Sequence, residues 1–142
     1  MAIKLFLDTN IFLDYLLQRK GQLPEIEKIF ELAECQAVDI FLSESVLATT
    51  IYFLQKEKLD ALEIVRELAP YLNFTSLKRD VLFHPLEKYN DLEDGLLYFS
   101  AAQAKVDYYI TRNKKDYQFT LPSLVVLTPS EFFEQILPDD LP

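Results

Sequence analysis

The sequence predicts an α/β fold with a central, mostly parallel sheet of four to five strands. Three observations predict it. Short, β-rich apolar runs alternate with stretches whose apolar residues recur at helical spacing. The connections between them are short, as in parallel βαβ units. The 142 residues, half of them hydrophobic and 13% aromatic, suit one domain with a substantial core. That domain is expected to span residues 1–137, with 138–142 as a short flexible tail.

Ile3–Leu7 reads as a first strand buried on both faces. Asp8, Thr9 and Asn10 are helix-capping types, and Ile11, Phe12, Tyr15 and Leu16 then carry a helix that Gly21 is expected to end. Residues 25–35 form a second amphipathic helix, with Ile26, Ile29, Phe30 and Ala33 on one face. Residues 38–42 are a second strand, after which Ser43 can cap a helix carrying Val46, Leu47, Thr50, Phe53 and Leu54. Residues 61–71 are a helix with Leu62, Val65, Leu68 and Ala69 inward, and 72–75 are a third strand. Residues 78–90 are broken by His84-Pro85. Residues 91–105 form a strong helix, with Asp91 as the better cap. Residues 108–111 and 124–127 are further strands. A final helix over 130–136 starts at Ser130, or at Thr128 before Pro129.

Cys35 is the single cysteine, so no intrachain disulfide forms and a reducing compartment is expected. The N-terminus meets Asp8 too soon for a signal peptide, and no apolar run approaches the roughly 18 residues that span a membrane. The expected location is cytoplasmic, with no membrane role. A net charge of −9 argues against a general nucleic-acid binder held by phosphate contacts. Two divalent cations on a four-carboxylate site would offset part of that charge.

Four carboxylates stand where apolar stretches meet polar ones: Asp8, Glu44, Asp94 and Asp116. Parallel sheets bind ligands beyond the carboxyl ends of their strands. Asp8, Glu44 and the 111–113 loop each follow a strand, so the alternation puts them on one edge. Each acid also has a plain reading: Asp8 as a cap, Glu44 as a first-turn acid, Asp116 as part of a solvated charge run. Asp94 lies on the margin of an apolar stripe and faces a cleft rather than bulk water. Gathered together, the four make a pocket that is stable only with protons or divalent cations in it, a pattern suited to phosphate chemistry. Arg112, Lys114 and Lys115 would offer phosphate contacts beside Asp116. His84, the single histidine, is read as structural, which excludes a two-histidine acid–base ribonuclease. Cys35 and the aromatics Phe12, Phe30, Phe53, Phe99, Phe132 and Phe133 are read as core.

Four segments carry a resemblance: Leu-Asp-Thr-Asn-Ile-Phe-Leu-Asp at 7–14, Leu-Ser-Glu-Ser at 42–45, Asp-Leu-Glu-Asp-Gly-Leu at 91–96, and Asp-Tyr-Tyr-Ile-Thr-Arg-Asn-Lys-Lys-Asp-Tyr at 107–117. In this order, and over nearly the whole chain, they resemble PIN-domain proteins of the VapC-like toxin class. The resemblance implies a three-layer α/β/α sandwich around the parallel sheet. It implies Mg²⁺ (or Mn²⁺) held by acids, and cleavage of RNA by a carboxylate-bound metal mechanism. It assigns the family's acids to Asp8, Glu44, Asp94 and Asp116, and its supporting polar positions to Thr9, Asn10, Thr111 and Asn113. It implies an RNA substrate, an antitoxin partner and a homodimer. Gly95 and Tyr117 depart from the Ala and Phe usual in the family.

The same residues admit two rival readings. A phosphotransferase of the haloacid-dehalogenase or response-regulator kind wants Asp-x-Asp after its first strand or a Lys after its last; here Asp8-Thr9-Asn10 and Leu127-Thr128-Pro129 stand instead. A non-catalytic PIN-like module would use the same acids to bind a structural cation or a partner.

Overall fold

In a computed structural model, the structure describes residues 1–137; the tail expected at 138–142 lies outside the described residues. Five strands, β1 (Ile3–Leu7), β2 (Val38–Ser43), β3 (Leu72–Thr75), β4 (Tyr108–Ile110) and β5 (Val125–Leu127), form one sheet in the order β3-β2-β1-β4-β5. All four pairings are parallel. The chain leaves β1 toward β2 and β3, then returns to add β4 and β5 on the other side. Strand order therefore reverses between β1 and β4, the place where open parallel sheets form a ligand crevice.

Among the described residues six helices surround the sheet: α1 (Thr9–Leu16), α2 (Leu23–Glu34), α3 (Glu44–Lys56), α4 (Ala61–Leu68), α5 (Leu92–Gln103) and α6 (Pro129–Gln135). α1 packs on α2 and α3, α3 on α4, and α2 on α6. The long crossover from β3 back to β4 runs opposite to the first two. Its right-handedness sends α5 to the other face of the sheet, which completes the three layers. The core runs through Leu5, Phe6 and Leu7 of β1, Ile40 and Leu42 of β2, Tyr109 and Ile110 of β4, and Tyr98 and Phe99 of α5, all fully buried. β1 is less enclosed at its start, where Ile3 is half-buried and Lys4 exposed.

The caps explain where the helices begin. Asp8, Ser43, Asp60, Asp91 and Thr128 each accept a backbone N–H of the following first turn. Thr128 is the start of α6, with Glu131 closing a capping box and Pro129 in the first turn. α1 stops at Leu16, sooner than Gly21 suggests, because Gln18 takes a left-handed conformation (φ 53°). α4 stops at Leu68 and continues as a 3₁₀ turn over Ala69–Tyr71. Its inward face is Ala61, Ile64, Val65 and Leu68, an i, i+3, i+4, i+7 row. Leu62 and Ala69, expected inward, fall off that row and are exposed. Cys35 is exposed too, because it lies past the end of α2. The 78–90 segment, broken at His84-Pro85, holds two 3₁₀ turns, Arg79–Phe83 and Leu86–Lys88. His84 stacks on Phe99 at 4.6 Å between centroids, the structural role expected of it.

Candidate functional site

The β1–β4 switch point opens into a cleft of about 290 Å³ lined by Asp8, Thr9, Asn10, Arg19, Asp91, Glu93, Asp94 and Asp116 among others. Three elements deliver its central acids. Asp8 follows β1 and caps α1, its Oδ1 accepting the Ile11 N–H at 3.0 Å. Asp94 stands in the first turn of α5, behind its cap Asp91. Asp116 ends a 3₁₀ turn, Lys114–Asp116, in the loop after β4. Buried Thr111 bends that loop: its hydroxyl oxygen accepts the Asn113 N–H at 3.2 Å.

The cleft's electrostatics follow from burial and crowding. Asp8 is 7% exposed. Burial pushes its carboxyl up to about 6, against the opposing pull of Thr111, the Ile11 N–H and Arg112. Asp94 is pushed up to about 7, by burial first and then by the charges of Asp91, Asp116, Asp8 and Glu93. Beneath Asp8 the Tyr109 and Tyr117 hydroxyls pair at 2.8 Å, and the Tyr117 hydroxyl faces Asp8 Oδ2 at 3.5 Å. Burial raises both phenols well above their ordinary range, so they stay protonated.

Glu44 lies apart from the other three acids. It lines an adjoining cleft, which shares Thr49, Glu93 and Leu97 with the acidic one. Thr9 and Asn10 line the acidic cleft as the sequence suggested, and half-buried Phe53, expected in the core, lines it too. The cations divide. Arg112 is committed to Asp14, with its Nη1 3.1 and 3.2 Å from the two carboxylate oxygens. Lys114 pairs with Glu131 at 3.1 Å. Lys115 has no carboxylate partner among the described residues.

Sequence reasoning missed Asp14, which is 4% exposed and also meets Arg19 at 3.5 Å. It missed Arg19 as the basic residue of the cleft, and Glu93 as a further acid lining it. The available signal for Asp14 was a second acid within the 7–14 segment. Gly95 packs tightly: a Cβ there would stand 3.1 Å from the Leu86 and Tyr89 side chains, which would have to give by a few tenths of an ångström.

The donors are hard carboxylate oxygens that repel one another, the chemistry that suits a hard divalent cation. Among the described residues no three acids, histidines or cysteines close on a common point that could hold a metal ion. The acids therefore share a cleft without forming a finished coordination shell.

The comparisons agree with this architecture. A family model described as PIN domain matches residues 4–115. A toxin–antitoxin complex from Klebsiella pneumoniae holds a chain of similar structure, with TM-score 0.65 and 21% identity, covering 91% of this chain and 98% of the other. VapBC2 from Rickettsia felis, bound to a DNA fragment from its promoter, gives TM-score 0.66 and 19% identity, covering 89% and 98%. The sarcin–ricin loop cleaving toxin VapC20 of Mycobacterium tuberculosis gives TM-score 0.53 and 13% identity, covering 83% and 91%. At these identities the likeness is one of fold. No curated protein matches the sequence.

Proposed function

Because the chain belongs to the PIN-domain family, we propose that it is a divalent-cation-dependent endoribonuclease and the toxin of a toxin–antitoxin pair. The observation that carries this reading is that Asp8, Asp94 and Asp116 line one cleft at the switch point, where burial pushes the first two carboxyls up to about 6 and 7. Acids arranged so unfavourably call for a cation. Asp8, Asp94 and Asp116 are the residues that would hold it, Mg²⁺ or Mn²⁺. Bound there, such a cation lowers the pKa of a water and stabilises charge on the scissile phosphate.

The chain's own groups do the positioning. The Ile11 N–H fixes one oxygen of Asp8, and the Tyr117 hydroxyl faces the other. Thr9 and Asn10 add neutral oxygens beside it. Glu44, which lines the adjoining cleft, would orient the attacking water. Lys115, and Arg19 through the part of its guanidinium that the 3.5 Å contact with Asp14 leaves exposed, would meet RNA phosphates, while Arg112 serves through Asp14. No side-chain nucleophile is needed, and the products carry a 5′-phosphate and a 3′-hydroxyl.

The partnership part of the reading draws on the Klebsiella and Rickettsia assemblies. An antitoxin would lay an amphipathic segment over the cleft, and the toxin would act as a homodimer in the cytoplasm. Among the described residues no helix is long and apolar enough to cross a membrane.

The test incubates wild-type and Asp8→Asn protein with structured RNAs, with Mg²⁺ or Mn²⁺ and with chelator. Cleavage by wild type alone, lost with chelator, is the expected result. No cleavage by folded protein, with no measurable cation binding, would leave a non-catalytic partner-binding module.

A further inference from the structure

The adjoining cleft has a different chemistry from the acidic one. It is about 340 Å³, at the small end of ligand pockets. Leu77, Leu96 and Leu97 give it apolar walls, and Thr75 and Ser100 bring hydroxyls. Both hydroxyl residues are more than nine-tenths buried, and the Thr75 hydroxyl has no hydrogen-bond partner. A buried polar group left without a partner is costly, and here it belongs to a residue lining a cleft. Thr75 is there because β3 ends at the same sheet edge as β2, in register with Ser43.

We propose that this cleft is a subsite for one unstacked nucleobase of the RNA strand, adjacent to the phosphate bound in the acidic cleft. It favours amino-bearing bases over uracil. The proposal rests on the nuclease reading above. Continuity argues for it, since Thr49, Glu93 and Leu97 line both clefts and a strand occupying one enters the other. Shape and charge select the base over the backbone. Leucine walls suit the faces of a planar ring, and unstacked bases are what proteins read in single-stranded RNA. Glu44 and Glu93 line the cleft and repel a phosphate. Ionised carboxylates accept hydrogen bonds and donate none. They favour adenine, cytosine or guanine, whose amino groups donate, over uracil, whose single N–H lies between two carbonyls.

A random pool of short single-stranded oligoribonucleotides, cut with Mg²⁺ or Mn²⁺ and sequenced at the cut ends, tests this. Wild type should favour amino-bearing bases over uracil by about tenfold at one fixed position beside the cut, the worth of one or two hydrogen bonds. Thr75→Val keeps shape and strand preference. It should lower that discrimination about fivefold while cleavage of the pool persists. Leu77→Lys, at an exposed site, should weaken it further by bringing to the wall a donor that suits the carbonyls of uracil. Cleavage with no base preference, or with a preference that both variants leave unchanged, overturns the subsite and leaves the nuclease reading standing. If wild type cuts nothing in the pool, titration of cytidine and uridine monophosphates into the labelled protein decides it separately. Amide shifts at Thr75, Leu97 and Ser100 stronger for cytidine support the subsite; their absence overturns it.

Discussion

Asp8 and Asp14 cap and inhabit the same short helix, are 7% and 4% exposed, and are treated by the fold in opposite ways. Asp14 is given guanidinium groups, Arg112 at 3.1 Å and Arg19 at 3.5 Å. Asp8 is given the Ile11 N–H and the Tyr117 hydroxyl, but among the described residues no ion pair. One buried carboxylate is a strut, because the sequence supplies its counter-charge. The other is a demand for a counter-charge, because the sequence withholds it. Burial alone does not separate a structural acid from a functional one; the partner does.

Asp8→Asn tests that contrast most directly. Asparagine still caps α1 but carries no charge. RNA cleavage should fall at least about a hundredfold. In chelator at pH 7.5 the variant should be more stable than wild type, by at most about 3 kcal/mol for a carboxyl moved from 3.8 to about 6. Chemical denaturation measures this. A variant less stable than wild type would show that Asp8, like Asp14, is a strut.

Arg112→Ala should do the reverse. It leaves Asp14 buried with only the longer Arg19 contact, and should cost about 2–3 kcal/mol. Asp14→Ala should cost less, because the guanidinium groups it frees are partly solvated. Equal losses would mean that the pair acts as one surface bridge.

The proton itself is the next probe. Asp8 and Asp94 titrate near 3.8 unfolded and at about 6 and 7 folded. Between about pH 4 and 7 the folded state therefore binds more protons than the unfolded state, and its stability falls as pH rises through that window. Metal-free protein should melt several degrees lower at pH 7.5 than at pH 5.5. Mg²⁺ should restore most of that difference at pH 7.5 and little at pH 5.5, where protons already occupy the acids. A melting temperature that rises with pH over this window in chelator would overturn the assignment.

The contrast also marks what the sequence could tell. The parallel sheet, the shared edge and the gathering of three of the four acids in one cleft were legible, since these rest on local signals: a β-rich run, a cap, an acid just beyond a strand. Asp91 as a cap was legible for the same reason. The partition of charges was not. Arg112 reads as free cation within a basic run, and only the fold carries it back from the β4 loop to Asp14 on α1. Glu44 follows β2 as expected. It lines the neighbouring cleft because α3 starts one strand farther from the switch point than α1. Cys35 and Leu62 were misplaced by helix ends and helix phase, which a sequence pattern fixes only to within a residue or two.

The smallest expected effect concerns what Asp8 receives in place of a cation. The Tyr117 hydroxyl stands at the long end of hydrogen bonding from Asp8 but pairs closely with Tyr109. Tyr117→Phe therefore takes little from Asp8 and more from Tyr109, whose buried hydroxyl loses its partner. The variant should lose about 1 kcal/mol of stability and keep RNA cleavage within about threefold of wild type. Its pH dependence of melting should match that of wild type. A tenfold loss of cleavage with stability intact would instead make the tyrosine a positioning residue for Asp8, holding with a neutral donor the carboxylate that the fold leaves without a guanidinium.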